Sequence, residues 1–218
     1  MIQSSWRRGQ TLIRPLGLLC RKISSNFDLH DLHGHDLAQE FCATMKIIEN
    51  YVDEESEKKL MEEIEPRLKR YRYGNNHLDH VIKSYKEIEI SDWGSTCSPI
   101  IQMMRKGAFS EEHQILVPVH VLDLSPDGYI DPHIDSIKFC GPIITGLSLL
   151  SDAVMQFTHC DKPELIIDVL LKRRSLYIMK GAARYDFKHA ILGDERSTFR
   201  GEKVPRQRRV SIICRCDP

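Results

Sequence analysis

Three groups of residues in the C-terminal half have the types and spacing for chemistry at a bound metal. His133-Ile134-Asp135 sets an imidazole and a carboxylate two positions apart, which puts both on one face where the chain is extended. His189, expected in a loop far downstream, supplies a second imidazole. Two neutral imidazoles and one carboxylate on one face of a metal are the donor set of non-haem Fe(II) oxygenases, in which the remaining positions stay open for substrate and oxygen. The third group is Arg209-Val210-Ser211-Ile212-Ile213-Cys214-Arg215. On a strand its two arginines point the same way and can face one pocket. A planar guanidinium pairs bidentately with carboxylate and keeps its charge, so a five-carbon keto-diacid is the natural occupant. Tyr177, on a strand whose inner face it would share, could add a hydroxyl to the same carboxylate.

Each group alone has a bland reading, because a His and an Asp in a core are more often structural hydrogen-bond partners than ligands. His77-Leu78-Asp79-His80 repeats the first pattern in what reads as a surface turn, and Arg8/Arg14 and Arg200/Arg206 repeat the arginine spacing. The conjunction carries the argument: a strand-borne His-x-Asp, a distant His and a terminal Arg pair, in that order.

The elements that must position these groups are mostly strands. Val117, Val119 and Val121 alternate with Pro118, His120 and Leu122, as in a strand with an edge or end at the proline. Ser125-Pro126-Asp127-Gly128 reads as a turn. Further strands are predicted at 143–150, 154–158, 165–171, 175–179 and 209–214. Short strands with few intervening helices argue for an antiparallel sandwich or barrel and against βαβ units. Upstream, Asp53 followed by Glu54, Glu55 and Glu57 starts a helix with Leu60, Met61, Ile64 and Leu68 on one stripe and Pro66 kinking or shortening its end. A second helix should run from Ser98 as N-cap and Pro99 as first residue to about Gly107, with Met103 and Met104 in the core. Structure is expected to begin near Lys46. His30, His33 and His35 lie among Asp28, Asp31 and Asp36 without standard metal spacing or an apolar frame.

The 218 residues suit one domain plus a tail. No apolar run is long enough to cross a membrane. Basic and acidic residues both total 31, but the first 27 residues hold five basic residues and no acid, leaving the remainder acidic by five. That acid-free, Arg- and Ser-bearing start has the composition of a mitochondrial transit peptide, with a disordered tail as the alternative. Seven cysteines without framework spacing suit a reducing compartment. The chain therefore divides into 1–27 (transit peptide or tail), 28–45 (flexible segment) and 46–218 (catalytic domain).

At these residues the chain resembles the AlkB family of Fe(II)/2-oxoglutarate dioxygenases, whose pattern is His-x-Asp, a distal His and Arg-x5-Arg. The blocks 128–141, 146–150, 175–178, 183–189 and 208–211 are similar to its mitochondrial branch, and the likeness covers about 47–215. The resemblance implies a double-stranded β-helix (jelly-roll) core with flanking helices, an α+β fold that is mainly β. It implies that His133, Asp135 and His189 bind Fe(II), that Tyr177, Arg209 and Arg215 bind 2-oxoglutarate, and that O2 is the other cosubstrate. It also implies a mitochondrial matrix enzyme hydroxylating a protein side chain, linked to fatty-acid metabolism and programmed necrosis. Two alternatives remain: a demethylase of methylated RNA or DNA, with Arg173, Arg174, Arg206 and Arg208 on phosphates, and a regulatory interaction protein with little turnover. Leu122 and Leu124 stand where nucleic-acid-repairing members carry Asn-x-Tyr, and 73–117 leaves little room for hairpins that grip a flipped base.

Overall fold

The computed structural model describes residues 25–30, 35–74 and 81–218. The predicted transit peptide up to residue 24, His33 and the His77-Leu78-Asp79-His80 repeat lie outside the described residues. Four helices are described: α1 (His35–Thr44), α2 (Glu54–Leu68), α3 (Ser98–Ala108) and α4 (Gly181–Tyr185). The strands are β1 (Phe27–Leu29), β2 (Met45–Ile48), β3 (Ile82–Ile90), β4 (Val119–His133), β5 (Ile143–Leu149), β6 (Ala153–His159), β7 (Ile166–Leu171), β8 (Ser175–Lys180), β9 (Phe187–Ile191), β10 (Thr198–Phe199), β11 (Glu202–Lys203) and β12 (Arg209–Arg215).

Ten strands form one curled antiparallel sheet in the order β1-β7-β6-β9-β4-β12-β5-β8-β2, with β3 also on β4. The roll turns on β4. Its first half lies between β3 and β12, and its second half reaches β9 through Ile130 and His133. This is the jelly-roll core, mainly β with flanking helices. Side-chain alternation sorts the two faces. Val119, Val121, Leu147, Leu176, Ile178, Val210, Ile212 and Cys214 point outward and bury the stripe of α2 (Leu60, Met61, Ile64, Leu68) and Ile101 and Met104 of α3. The opposite parity of the same strands faces into the roll. No helix is long and apolar enough to cross a membrane.

Local chemistry explains the helices. Asp53 caps α2, accepting from the Ser56 backbone N–H at 2.8 Å, which satisfies one of the free donors of the first turn. The helix runs through Pro66 to Leu68 without being cut short. Helix α3 begins at Ser98, with Cys97 rather than Ser98 at the cap. Met104 is fully buried, but Met103 is 45% exposed, on the solvent side of the stripe.

Three expectations are corrected. The segment 28–45, expected to be flexible, holds β1 and α1. Ala38 and Phe41 are fully buried, and Phe41 packs edge-on against Phe157 and Phe187. Leu37, Ala38, Phe41 and Cys42 make the stripe that buries this helix against the roll, continued by Met45 at the start of β2, and the polar residues between them obscure it. His30, from the His/Asp cluster, pairs with Asp168 at 2.6 Å. The predicted turn at Ser125-Pro126-Asp127-Gly128 is a wide bulge inside one long strand. Leu124 pairs with Tyr85 and Tyr129 with Lys83, so the extra residues of β4 are extruded while pairing resumes beyond them. Gly128 belongs there because a Cβ would stand 2.8 Å from the Ser84 carbonyl oxygen. Val117 precedes β4 and is exposed, so the strand starts at Val119.

Candidate metal centre and cosubstrate pocket

β4 ends at His133 directly opposite His189 on β9. His189 was expected in a loop; it lies in a strand paired on both sides, with His133 and with Phe157 of β6. The pairing stacks the two imidazoles with centroids 4.4 Å apart. Asp135 follows the strand end and closes the group: its carboxylate lies 3.9 Å from His133 Nε2 and 3.7 Å from His189 Nε2. One ligand atom from each of His133, Asp135 and His189 lies within 4.8 Å of the others.

The donor atoms suit a divalent cation. His133 Nδ1–H donates to the Asp131 carbonyl at 2.9 Å, which orients the ring and leaves Nε2 free, the usual arrangement behind a metal-ligating imidazole. Burial pushes the His189 imidazole down to about 4, against the pull of the Asp135 carboxylate, so His189 is neutral at physiological pH. Burial opposes ionisation of Asp135, but the neighbouring His189, Arg215, His133 and Arg184 hold its carboxyl below the ordinary value. A buried carboxylate beside two imidazole nitrogens is the donor set that a hard-to-borderline divalent metal takes.

The roll encloses a cavity of about 110 Å³ beside this group, with Tyr177, Arg209, Ser211 and Arg215 in its wall. Arg209 is 2% exposed. Its Nε–H donates to Ser148 Oγ at 3.0 Å, while its buried Nη2 and the nearby Ser211 Oγ meet no partner among the described residues. Burial pushes the Arg209 guanidinium down to about 10 and the Tyr177 phenol up to about 12, so the first stays a cation and the second a neutral donor. Gly146 makes room for that ring, since a Cβ there would lie 2.5 Å from Tyr177 atoms. Arg215 reaches the metal end of the cavity, with Nη2 3.8 Å from the Asp135 carboxylate and Nη1 donating to His120 Nδ1 at 3.4 Å. Orphaned buried donors on two cations, in a cavity that begins at three side chains with the spacing to hold a metal, fit a dicarboxylate that would also chelate it. Leu122 and Leu124 stand opposite Ser211 and Arg209 on β4, giving that wall an apolar face.

The structure thus brings together His133, Asp135, His189, Tyr177, Arg209 and Arg215. Sequence reasoning missed Ser148, His120 and Arg184, although the inward parity of β4 and β5 marks the first two. The four arginines nominated as phosphate contacts are committed elsewhere. Arg173 and Arg174 pair with the buried Glu57 at 2.8 and 3.6 Å, Arg206 donates to the Gly128 carbonyl at 3.0 Å, and Arg208 grips the fully buried Asp123 at 2.9 and 3.0 Å.

Comparison with known proteins agrees with this chemistry. Residues 121–215, which span β4 to β12, match the family model of the 2OG-Fe(II) oxygenase superfamily. The mouse protein named alpha-ketoglutarate-dependent dioxygenase alkB homolog 7, mitochondrial, is 49% identical over 168 residues, 77% of this chain and 76% of that protein. Among solved structures, OsALKBH1 superposes with a TM-score of 0.56 at 12% identity, covering 79% of this chain and 97% of that one. A Pseudomonas putida prolyl-4-hydroxylase superposes with a TM-score of 0.55 at 13% identity, covering 84% and 95%. These two likenesses show the fold alone, and the fold serves different substrates. The chain belongs to the AlkB family of 2-oxoglutarate- and Fe(II)-dependent dioxygenases, in the group of its mitochondrial seventh homologue.

Proposed function

We propose that this dioxygenase hydroxylates an aliphatic side chain of a protein in the mitochondrial matrix, with oxidative decarboxylation of 2-oxoglutarate to succinate. His133, Asp135 and His189 would hold Fe(II), which when bound activates O2 for the oxidation. Arg209 and Tyr177 would clamp the remote carboxylate of 2-oxoglutarate, and Arg215 would orient the end beside the metal. The apolar wall around them keeps water from the reacting atoms. The links to fatty-acid metabolism and programmed necrosis rest on the resemblance.

The observation that favours protein over nucleic acid is the charge beside the site. A second cavity of about 490 Å³ shares Ile130 and Ile191 with the first, and its rim carries Asp127, Asp131, Asp194 and Glu195 against Arg196. Nucleic-acid affinity comes chiefly from cations neutralising phosphates; this rim repels phosphates, three of the nominated arginines are paired with carboxylates, and the fourth, Arg206, is buried. The test supplies the full-length enzyme with Fe(II), 2-oxoglutarate and O2, beside a His133→Ala control. Mitochondrial protein digests and methylated RNA and DNA oligonucleotides are then followed by mass spectrometry. A His133-dependent gain of one oxygen on a peptide is expected. Loss of methyl groups from an oligonucleotide, with steeply salt-dependent binding and no oxygenated peptide, would refute the proposal in favour of the demethylase.

A further inference from the structure

Arg184 is among the largest fully buried side chains of the protein, yet it has no carboxylate partner among the described residues. Its Nη2–H donates to the Cys140 carbonyl at 3.3 Å, Nε and Nη1 meet no acceptor among the described residues, and the guanidinium lies 5.0 Å from the ring centroid of Tyr185. Burying a charge with one neutral acceptor is costly. A side chain kept there for packing alone would be apolar.

The position of that one hydrogen bond is informative. Arg184 sits on α4, which runs directly into β9 and His189. Helix α4 is itself held from below, because the Ala183 backbone N–H donates to Thr44 Oγ1 of α1 at 3.1 Å. Cys140 ends the loop that leaves Asp135. That loop is a closed turn, in which the Cys140 N–H donates to the Ser136 carbonyl at 3.0 Å, and the next residue, Gly141, donates to the Cys216 carbonyl at 2.8 Å. Gly141 is required for that approach, since a Cβ there would collide with the Asp217 backbone. The His133–His189 strand pair closes one side of the metal group. The Arg184–Cys140 bond is a second tie between the two limbs, joining segments 44 residues apart in the chain.

We infer that Arg184 is a positioning residue for the metal centre, a buried guanidinium that ties the limb carrying His189 to the limb carrying Asp135. It acts through the loop it anchors; its positive charge by itself opposes a cation at the ligands, so weaker Mn(II) binding on its removal reports lost positioning rather than lost charge. The same tie holds the loop's exposed Ile137 and Phe139, 63% and 74% accessible, beside the site. The inference rests on reading His133, Asp135 and His189 as the ligands.

The test compares the full-length parent with Arg184→Met, Arg184→Lys and His189→Ala, using Mn(II) as an oxygen-insensitive probe. Mn(II) affinity is measured by titration, fold stability by thermal unfolding, and the loop by amide exchange over 139–141. Arg184→Met should melt at or above the parent temperature, bind Mn(II) about tenfold more weakly, as loss of a group that orients ligands does, and lose protection at 139–141. Arg184→Lys, which keeps the charge and one donor, should stay within about threefold of the parent, and it decides the matter if the Met variant does not fold. A folded Met variant with parental Mn(II) affinity and parental protection overturns the inference, as does a folded Lys variant binding as weakly as His189→Ala. Should His189→Ala itself bind Mn(II) like the parent, the ligand reading is what has failed.

Discussion

Replacing Arg209 by Met should stabilise the protein without cosubstrate and abolish its response to cosubstrate. Arg209 is charged and 2% exposed, and burial lowers its guanidinium from 12.5 to about 10. At about 1.4 kcal/mol per pH unit, holding that charge in place costs the folded state about 3 kcal/mol. Methionine fills similar volume without the charge. The substitution also removes the Nε–H···Oγ bond to Ser148, worth about 1 kcal/mol, so the expected net gain is about 2 kcal/mol. For a chain of this size that corresponds to a rise of roughly 4–8 °C in melting temperature.

The assay is thermal unfolding with Mn(II) in place of Fe(II), with and without 2-oxoglutarate. Cosubstrate binding stabilises only the state that binds it, so the parent should shift upward with 2-oxoglutarate concentration. Arg209→Met should start higher and not shift. A variant that melts well below the parent would refute the accounting of the buried charge. One that keeps the parental 2-oxoglutarate shift would refute the site, because the orphaned Nη2 would not be the carboxylate anchor.

Three further outcomes follow from particular contacts. With metal chelated, stability should fall by about 3 kcal/mol as pH drops from 6.5 to 4, because unfolded His189 takes up a proton there while the folded imidazole, lowered to about 4 by burial, does not. The depressed Asp135 carboxyl acts in the same direction at its lower end. In denaturant titrations His189→Gln should flatten this slope, and equal slopes would contradict it. Gly146→Ala forces a Cβ to within 2.5 Å of the Tyr177 ring and should cost about 1–3 kcal/mol while raising the KM for 2-oxoglutarate; an unchanged KM would remove Tyr177 from the cosubstrate site. Arg208→Met leaves Asp123, fully buried, without its bidentate partner and should destabilise the fold by about 3 kcal/mol. Parental stability together with weakened RNA binding would instead return Arg208 to the phosphate role.

The antiparallel strands were legible where alternation is strong, while the jelly roll they form was implied by the resemblance. β5 to β8 and β12 carry near-continuous apolar or strictly alternating runs, and their predicted limits differ from the observed ones by a residue or two. The site was legible for the same reason, since the parity that sends Val210, Ile212 and Cys214 into the helix layer sends Arg209 and Arg215 inward. Elements defined by tertiary context were not. Ser125-Pro126-Asp127-Gly128 has turn chemistry, and nothing local says that β3 will pair on both sides of it and turn it into a bulge. The run Phe187–Ile191 is only five residues long, with Lys188 exposed and the short α4 just ahead, so its strand is fixed by its pairing with β4 and β6. The α1 stripe, Ala38, Phe41 and Cys42, is short and set among histidines and acids, which hides its helical period.

The distribution of charge in the folded protein links these points. Buried cations are normally matched with carboxylates, and away from the site Arg208 takes Asp123 while Arg173 and Arg174 share Glu57, with Arg206 bonded to the Gly128 carbonyl instead. Around the site the mismatch is concentrated. Arg184, Arg209 and Arg215 all keep buried nitrogens without partners among the described residues, and Asp135 is the one carboxylate in the cavity wall. Such a local excess of positive charge destabilises the empty fold and is relieved by an anion. A divalent metal alone would worsen it, whereas a metal that arrives with a dicarboxylate bound to Arg209 offsets it. Mn(II) should therefore bind more tightly in the presence of 2-oxoglutarate, and by reciprocity 2-oxoglutarate more tightly in the presence of Mn(II). Binding of each ligand indifferent to the other would show that the arginines and the triad do not form one site.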